Sequence, residues 1–229
     1  MSSIASNLSN IQNEIQVCAR RCARDPASIR LLAVSKTFPA GIVEEASAAG
    51  QVLFGENRVQ EAISKIPAVR SEGLVWHLVG HLQSNKAHKA VEFFDVIQTI
   101  DSEKIARKLS SSCQEIGKRI QVFVQVNIGE EPQKTGFSPL RVGDIVSTLD
   151  SLPGLELVGL MSIPPFHDDP EQTRPYFKKM FSLISEINQN RQRPLTELSM
   201  GMSADFQIAI EEGATLIRLG TAIFGPREK

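Results

Sequence analysis

The sequence predicts an α/β fold, a single TIM-type (β/α)8 barrel with one extra helix at its N-terminus. Short apolar segments recur along the 229 residues, and nearly all of them alternate with helical patterns. Such alternation favours parallel strands joined by right-handed crossovers. Eight strand–helix units also need roughly 200–250 residues, which is the available length. A doubly wound open sheet is the alternative, although no Gly-x-Gly-x-x-Gly motif follows the first strand to support dinucleotide binding.

The first predicted element is an amphipathic helix over residues 1–24, packed on the barrel. Its apolar residues recur every three or four positions and form one stripe. They are Ile4, Leu8, Ile11, Ile15, Cys18 and Cys22. We expect the two cysteines to be small buried hydrophobic residues, because no further metal ligands lie near them in the sequence.

Eight apolar segments are the candidate strands. They are residues 29–35, 52–54, 75–79, 95–100, 120–128, 157–163, 196–199 and 215–219. Past Arg30 the first segment lacks polar alternation, which is typical of a strand buried on both faces. The helix after the fourth strand is predicted to begin at an Asp101 cap and to end at Gly117. Helices over residues 203–212 and 221–224 are predicted near the end of the chain.

Composition excludes several classes of function. The net charge of −1 gives no electrostatic footprint for nucleic acid or an anionic membrane. No apolar run approaches the ~20 residues of a membrane span, and the N-terminus lacks the basic and apolar regions of a secretory signal. Three cysteines are too few for a disulfide framework and suggest a reducing compartment. We therefore expect one cytoplasmic domain over residues 1–229.

Lys36 directly follows the first predicted strand, at the end of the barrel where parallel barrels carry their functional groups. A lysine in a partly desolvated site loses its proton more easily, and a neutral amine attacks aldehydes to form a Schiff base. The alternative is a solvated loop lysine.

Two segments rich in small residues end the last two strands, where many barrels bind phosphate. They are Ser-Met-Gly-Met-Ser at 199–203 and Arg-Leu-Gly-Thr at 218–221. We expect Ser203 to cap the helix that follows it and also to donate to a phosphate, and Thr221 to do the same at the final helix. Plain helix capping and tight turns are the alternative for both segments.

The histidines give weaker indications. His77 lies within a strand pattern and is predicted to be a packed or hydrogen-bonded core residue, whereas His81 lies in a loop of the functional face. On an extended chain these two side chains would be roughly 13 Å apart, too far to share one ion. We therefore expect no metal site.

The motifs together resemble the pyridoxal phosphate homeostasis protein family, a stand-alone barrel related to the N-terminal domain of alanine racemase. The resemblance covers nearly the whole chain and keeps the expected order. The motifs are residues 33–36 (AVSK), 54–57 (FGEN), 76–86 (WHLVGHLQSNK), 125–128 (QVNI), 159–161 (GLM), 198–203 (LSMGMS) and 218–225 (RLGTAIFG).

The resemblance implies that pyridoxal 5′-phosphate (PLP) is bound as an internal aldimine on Lys36. It also implies a cofactor site made of further residues. These are Ser203, Gly220 and Thr221 at the phosphate, Ser199 and Gly201 shaping the turn, Asn57 beside the ring or aldimine, and Arg218 at the pyridine nitrogen. An arginine stays protonated and cannot accept a hydrogen bond, so it would keep that nitrogen unprotonated and weaken the electron sink of the cofactor.

Two functions are compatible with this site. One is a PLP carrier that holds the cofactor and delivers it to apo-enzymes without turnover; the other is an amino-acid racemase of low activity. Two-base racemisation needs a second acid–base group, which the resemblance implies is a tyrosine of a separate domain in alanine racemase. This sequence ends at Lys229 without such a domain, and its one tyrosine, Tyr176, lies on the helix after the sixth strand. We therefore predict a carrier.

Several points stay open from the sequence. Racemisation by Lys36 with water or His81 is one, and a phosphate-sugar or nucleotide-binding barrel without any aldehyde is another. Lys134 lies in a loop of the same face, where it would either receive the aldehyde during transfer or simply attract anions. No coiled-coil seam is visible, so we expect a monomer.

Overall fold

The computed structural model describes residues 3–226 and is a closed barrel of eight parallel strands. Each strand pairs with its sequence neighbours, and β1 pairs with β8 through a register that includes Leu32 opposite Arg218. The predicted (β/α)8 barrel is therefore confirmed, and the open sheet is excluded. The strands are β1 Arg30–Val34, β2 Leu53–Glu56, β3 Val75–Leu78, β4 Val96–Ile100, β5 Ile120–Val126, β6 Leu155–Ser162, β7 Glu197–Ser199 and β8 Leu216–Leu219.

Nine α-helices lie within the described residues. They are α1 Ile4–Arg21, α2 Ala40–Ala48, α3 Val59–Lys65, α4 Ala87–Phe93, α5 Glu103–Ile116, α6 Val142–Asp150, α7 Arg174–Asn188, α8 Phe206–Glu211 and α9 Thr221–Phe224. The expected bounds at residues 1, 2 and 227–229 lie outside the described part of the chain. None of the helices within residues 3–226 has the length and apolar character needed to cross a bilayer.

The predicted N-terminal helix is present as α1. Five of its six stripe residues are buried, and Cys22 is half-buried. The thiol of Cys18 donates to the carbonyl of Gln207 at 3.3 Å, and the Asn7 amide donates to the carbonyl of Ile223 at 2.8 Å. The helix is thereby attached beside α8 and α9.

The barrel has a separate core of its own. Leu32 belongs to a small buried cluster, whereas its neighbours Leu31 and Ala33 belong to a larger one. Because successive side chains of a strand point to opposite faces, the small cluster fills the inside of the barrel and the larger one lies between the strands and the helices. The buried members of the small cluster are Leu32, Val96, Phe123, Met161 and Leu216. Burying each such side chain contributes about 1.5–3 kcal/mol.

Three strand boundaries differ from the prediction by two residues. β2 continues to Glu56 rather than ending at residue 54, because Glu56 still pairs with Leu78 of β3. β6 begins at Leu155 because that side chain is buried and pairs with Ile120. β5 ends at Val126 because the side chain of Asn127 turns the chain, its Oδ1 accepting the N–H of Glu131 at 3.1 Å.

Two predicted helix starts were wrong. The cap of α5 is Ser102, whose hydroxyl accepts the N–H of Ile105 at 3.4 Å, while Asp101 pairs with His81 instead. The start of α8 lies at Phe206, not at residue 203. The predicted end of α5 is confirmed, since Gly117 stands in the left-handed region at φ 74°.

Candidate functional site

A cavity of about 190 Å³ lies at the carboxyl end of the strands, where β1, β2 and β8 end. Six of the eight predicted site residues line it, which are Lys36, Asn57, Ser203, Arg218, Gly220 and Thr221. Five apolar side chains complete the lining, from Val34, Phe38, Val79, Ile163 and Met202. The remaining two predicted residues, Ser199 and Gly201, lie behind this lining and act on it indirectly.

Lys36 stands at the centre of a tight turn that follows β1. The carbonyl of Ser35 accepts the N–H of Phe38 at 3.1 Å, so Lys36 and Thr37 are the two central residues of a β-turn. Thr37 has φ 71°, in the left-handed region that a β-branched residue rarely adopts. Lys36 itself is half-buried, so its stem belongs to the wall of the cavity.

Arg218 places a cation inside the barrel. Its Nη1 donates to the hydroxyl of Ser199 at 2.6 Å and its Nη2 to the carbonyl of Ser162 at 2.8 Å. Both acceptors are neutral. Burial lowers the pKa of the Arg218 guanidinium to about 10, against the opposing effect of the Asp205 charge. The group is therefore protonated at neutral pH, and an acceptor in the cavity would offset its desolvation.

A chain of buried hydrogen bonds extends from Arg218 across the barrel. The hydroxyl of Ser199 donates to Oε1 of Gln98 at 2.6 Å, and Nε2 of Gln98 donates to Nδ1 of His77 at 2.8 Å. Burial lowers the pKa of His77 to about 3, so the ring is neutral and accepts at Nδ1. His77 is thus a hydrogen-bonded core residue, as the sequence predicts. All donation runs from Arg218 towards His77.

The loop after β7 is shaped by a glycine and an acid. Gly201 has φ 91°, and a Cβ added there would lie 2.6 Å from the Cβ of Ala209. Asp205 accepts the N–H of Met202 at 2.6 Å. Because this bond folds residues 202–205 into a turn, the expectation that Ser203 caps α8 is wrong. Ser203 instead belongs to the lining of the cavity.

The end of β8 adds a second hydroxyl-bearing residue, Thr221, to the cavity lining. Gly220 is the N-cap of α9, and Thr221, which the sequence predicted to cap it, is its first helical residue. A Cβ added at Gly220 would lie 3.2 Å from the carbonyl oxygen of Val34. The glycine therefore keeps β1 and β8 close together beside the cavity.

Sequence reasoning missed the supports behind the cavity. Gln98 accepts a hydrogen bond from Ser199, and the carbonyl of Ser162 accepts one from Arg218. The charge of Asp205 raises the pKa of Arg218. A glutamine within the mostly apolar strand β4 was a usable indication, because a buried amide requires partners. The carbonyl of Ser162 gave none, since any residue type supplies a carbonyl.

Three other candidates of the sequence lie outside the cavity lining. His81 is exposed and its Nδ1 lies 2.7 Å from the carboxylate of Asp101. Lys134 forms an ion pair with Glu131 and donates to the carbonyl of Pro164 at 3.0 Å. Tyr176 stacks on His167 with ring centroids 5.9 Å apart. Within residues 3–226 no group of three His, Cys, Asp or Glu side chains is placed to hold a metal ion.

Known proteins match this chain over most of its length. The model of the alanine racemase N-terminal domain family matches residues 6–228. The pyridoxal phosphate homeostasis protein of Vibrio alginolyticus is 42% identical over 236 residues, covering 100% of this chain and 99% of that protein. The chain belongs to the pyridoxal phosphate homeostasis protein family. The family member of Escherichia coli strain K12 is 39% identical over 231 residues, covering 100% of this chain and 98% of that protein.

Solved structures of this family and of its relatives share the barrel. PipY of Synechococcus elongatus, solved with PLP bound, has a TM-score of 0.86 and 40% identity, covering 97% of this chain and 100% of that one. The alanine racemase of Clostridium difficile 630 has a TM-score of 0.74 at 16% identity, covering 57% of the racemase chain. That likeness to alanine racemase shows the fold alone, whereas membership of the pyridoxal phosphate homeostasis protein family confirms the resemblance seen in the sequence.

Proposed function

We propose that this chain binds PLP in the cavity at the carboxyl end of the barrel and serves intracellular PLP homeostasis. The observation that carries the proposal is that one cavity is lined by a half-buried lysine, a buried arginine and two hydroxyl-bearing residues. The family supports it, since its members are named for PLP homeostasis and PipY was solved with PLP bound. We place the protein in the cytoplasm, as a monomer.

The donors of the cavity fit the chemical groups of PLP. PLP supplies an aldehyde that reacts with amines and a ring that draws electrons from the attached group. Lys36 offers the amine, and the hydroxyls of Ser203 and Thr221 offer donors to the phosphate, beside the close strand approach at Gly220. The apolar side chains of Val79 and Ile163 offer contact surface to the faces or edges of the ring.

Arg218 fits the ring nitrogen because it offers only donors. A guanidinium has no acceptor, so it binds a pyridine nitrogen that carries no proton. Its bonds to Ser199 and Ser162 fix its plane. With the nitrogen unprotonated, the ring draws electrons less strongly. This favours a protein that carries PLP over an enzyme that uses PLP for catalysis.

The composition of the lining also favours a carrier over a racemase. Among the described residues that line the cavity, the ionisable side chains are Lys36 and Arg218. A two-base racemase needs an acid–base group on the face opposite the lysine. We therefore propose that the chain holds PLP and delivers it to apo-enzymes that need it. Turnover of alanine or another amino acid at ordinary enzyme rates in a chiral assay would contradict this proposal.

Binding is tested with the purified protein and added PLP. We expect a visible absorbance band that stays with the protein through gel filtration, with one PLP bound per chain. Replacing both hydroxyls, with Ser203→Ala and Thr221→Val, should weaken PLP binding at least tenfold. The control Ser185→Ala removes an exposed helix hydroxyl and should leave binding unchanged. A colourless protein that takes up no PLP would overturn the proposal.

A further inference from the structure

A buried ion cluster lies directly behind the Lys36 turn, formed by Glu56, Glu61 and Lys65. Glu56 is the last residue of β2, and the other two lie four residues apart on α3. The side chains of Glu56 and Lys65 are 0% and 6% exposed. None of the three lines the cavity, so the binding of PLP proposed above does not use them.

Lys65 is the centre of the cluster. Its Nζ donates to Oε1 of Glu56 at 2.7 Å, to Oε1 of Glu61 at 2.7 Å and to the carbonyl of Ser35 at 2.8 Å. An ammonium group has three donors, and here each has an acceptor. Lys65 is therefore held in one position.

The cluster contacts the chain on both sides of Lys36. Before it, the Ser35 hydroxyl donates to Oε1 of Glu56 at 2.7 Å and the Ser35 carbonyl accepts from Lys65. After it, the N–H of Thr37 donates to Oε1 of Glu61 at 2.5 Å. These bonds fix the two neighbours of Lys36 and hold Thr37 at φ 71°, a strained conformation that persists only where the surroundings enforce it.

We propose that Glu61, Lys65 and Glu56 are positioning residues that hold the Lys36 amine at the angle required for attachment to PLP. The inference rests on the proposed function. It gives a reason for placing a buried carboxylate and a partly exposed one around a buried ammonium, an arrangement that is weak evidence for stability by itself. One carboxylate oxygen, Oε2 of Glu56, is buried without a partner in the described part of the chain, so stability alone does not explain the cluster well.

The best test variant is Glu61→Ala, because the Glu61 side chain is 25% exposed and its loss leaves the buried Glu56–Lys65 pair intact. It removes the acceptor of the Thr37 N–H. Glu61→Gln keeps an acceptor at the same place and is the rescue variant. Glu92→Ala breaks an exposed ion pair with Lys89 on α4 and is the matched control.

Two rates are measured for each variant. The first is the rate at which the PLP absorbance band forms. The second is the rate at which a small acetylating reagent labels Lys36 without PLP, followed by peptide mass spectrometry. Lys118, which donates to the carbonyl of Phe94 at 2.8 Å, reports in the same digest whether the whole fold has loosened.

We expect Glu61→Ala to slow band formation at least tenfold, because the amine is no longer held at its angle. The same variant should speed acetylation of Lys36 at least threefold, because the turn opens to solvent, while Lys118 is labelled at the wild-type rate. Glu61→Gln and Glu92→Ala should stay within twofold of wild type in both rates.

The inference would be overturned if Lys36 of the Glu61→Ala variant were acetylated at the wild-type rate. It would also be overturned if Glu61→Ala lowered the melting temperature but left both rates unchanged. The acetylation arm needs no cofactor. If wild-type protein takes up no PLP, the proposed function fails, yet faster acetylation of Lys36 in Glu61→Ala still supports the positioning of its amine.

Discussion

The guanidinium of Arg218 donates a 2.6 Å hydrogen bond to the hydroxyl oxygen of Ser199, and both side chains are buried inside the barrel. The proton of that hydroxyl goes to Gln98. Ser199 therefore connects the Arg218 cation to the buried hydrogen bonds that end at the neutral ring of His77. Ser199 is not part of the cavity lining and contacts it through Arg218.

Ser199→Ala tests this connection. The substitution removes one acceptor of Arg218 and leaves the buried Oε1 of Gln98 without its donor. We expect the free energy of unfolding to fall by about 1–3 kcal/mol, measured by urea denaturation. The exposed control Ser185→Ala should stay within about 0.5 kcal/mol of wild type. Equal stability of the two variants would show that the buried hydrogen bonds of Ser199 do not stabilise the fold.

His77 makes the stability of the barrel sensitive to acid. Burial lowers its pKa from an ordinary 6.5 to about 3, so the unfolded chain binds a proton that the folded chain does not in the window between these values. Stability is fully present above pH 6.5. It falls as the pH drops towards 3, by about 1.4 kcal/mol per pH unit from this group.

His77→Gln keeps an acceptor for Gln98 but removes the titration. Urea unfolding between pH 4 and 6 should therefore show a slope that is smaller than in wild type by about 1.4 kcal/mol per pH unit. If His77→Gln keeps the wild-type slope, then His77 is not the neutral buried group described here.

Gly201 is required by both its backbone and its neighbours. It has φ 91°, and an added Cβ would lie 2.6 Å from the Cβ of Ala209. Gly50 has a similar φ of 93° with nothing within 4 Å of an added Cβ. Gly50→Ala should therefore cost about 1–2 kcal/mol from backbone strain alone. Gly201→Ala should cost about 1–3 kcal/mol more because of overpacking, and calorimetric unfolding would show the difference. Equal losses would contradict the close packing of this loop on α8.

Arg218→Met separates stability from binding. The substitution removes a buried cation that has no carboxylate within hydrogen-bonding distance among the described residues. A buried charge without an opposite charge beside it retains a desolvation cost that an apolar side chain of similar length does not have. We expect the free energy of unfolding not to fall, while PLP binding weakens at least tenfold. A loss of more than about 2 kcal/mol would mean that the bonds of Arg218 outweigh its desolvation.

The sequence predicts the barrel and the residues at its mouth, because apolar segments identify strands and the next residues lie at one end. That is how Lys36 and Thr221 were placed at one end of the barrel, whereas Arg218, which lies within β8, was assigned to the site by the family resemblance. The sequence does not predict which of two neighbouring hydrogen-bond acceptors binds a given backbone N–H. Ser203 and Asp205 both suit a helix start, and only packing decides that Asp205 takes the Met202 N–H. The Glu56–Lys65 pair was likewise missed, because it depends on how α3 packs behind β2.

The central claim is that PLP attaches to the Lys36 amine, and borohydride reduction tests it most directly. Wild-type protein loaded with one equivalent of PLP is reduced, digested with trypsin and mapped by mass spectrometry. A modified Lys36 resists cleavage, so we predict a phosphopyridoxyl mass on the peptide of residues 31–58. An unmodified Lys36 after reduction, with the label on another lysine or on none, would contradict the account.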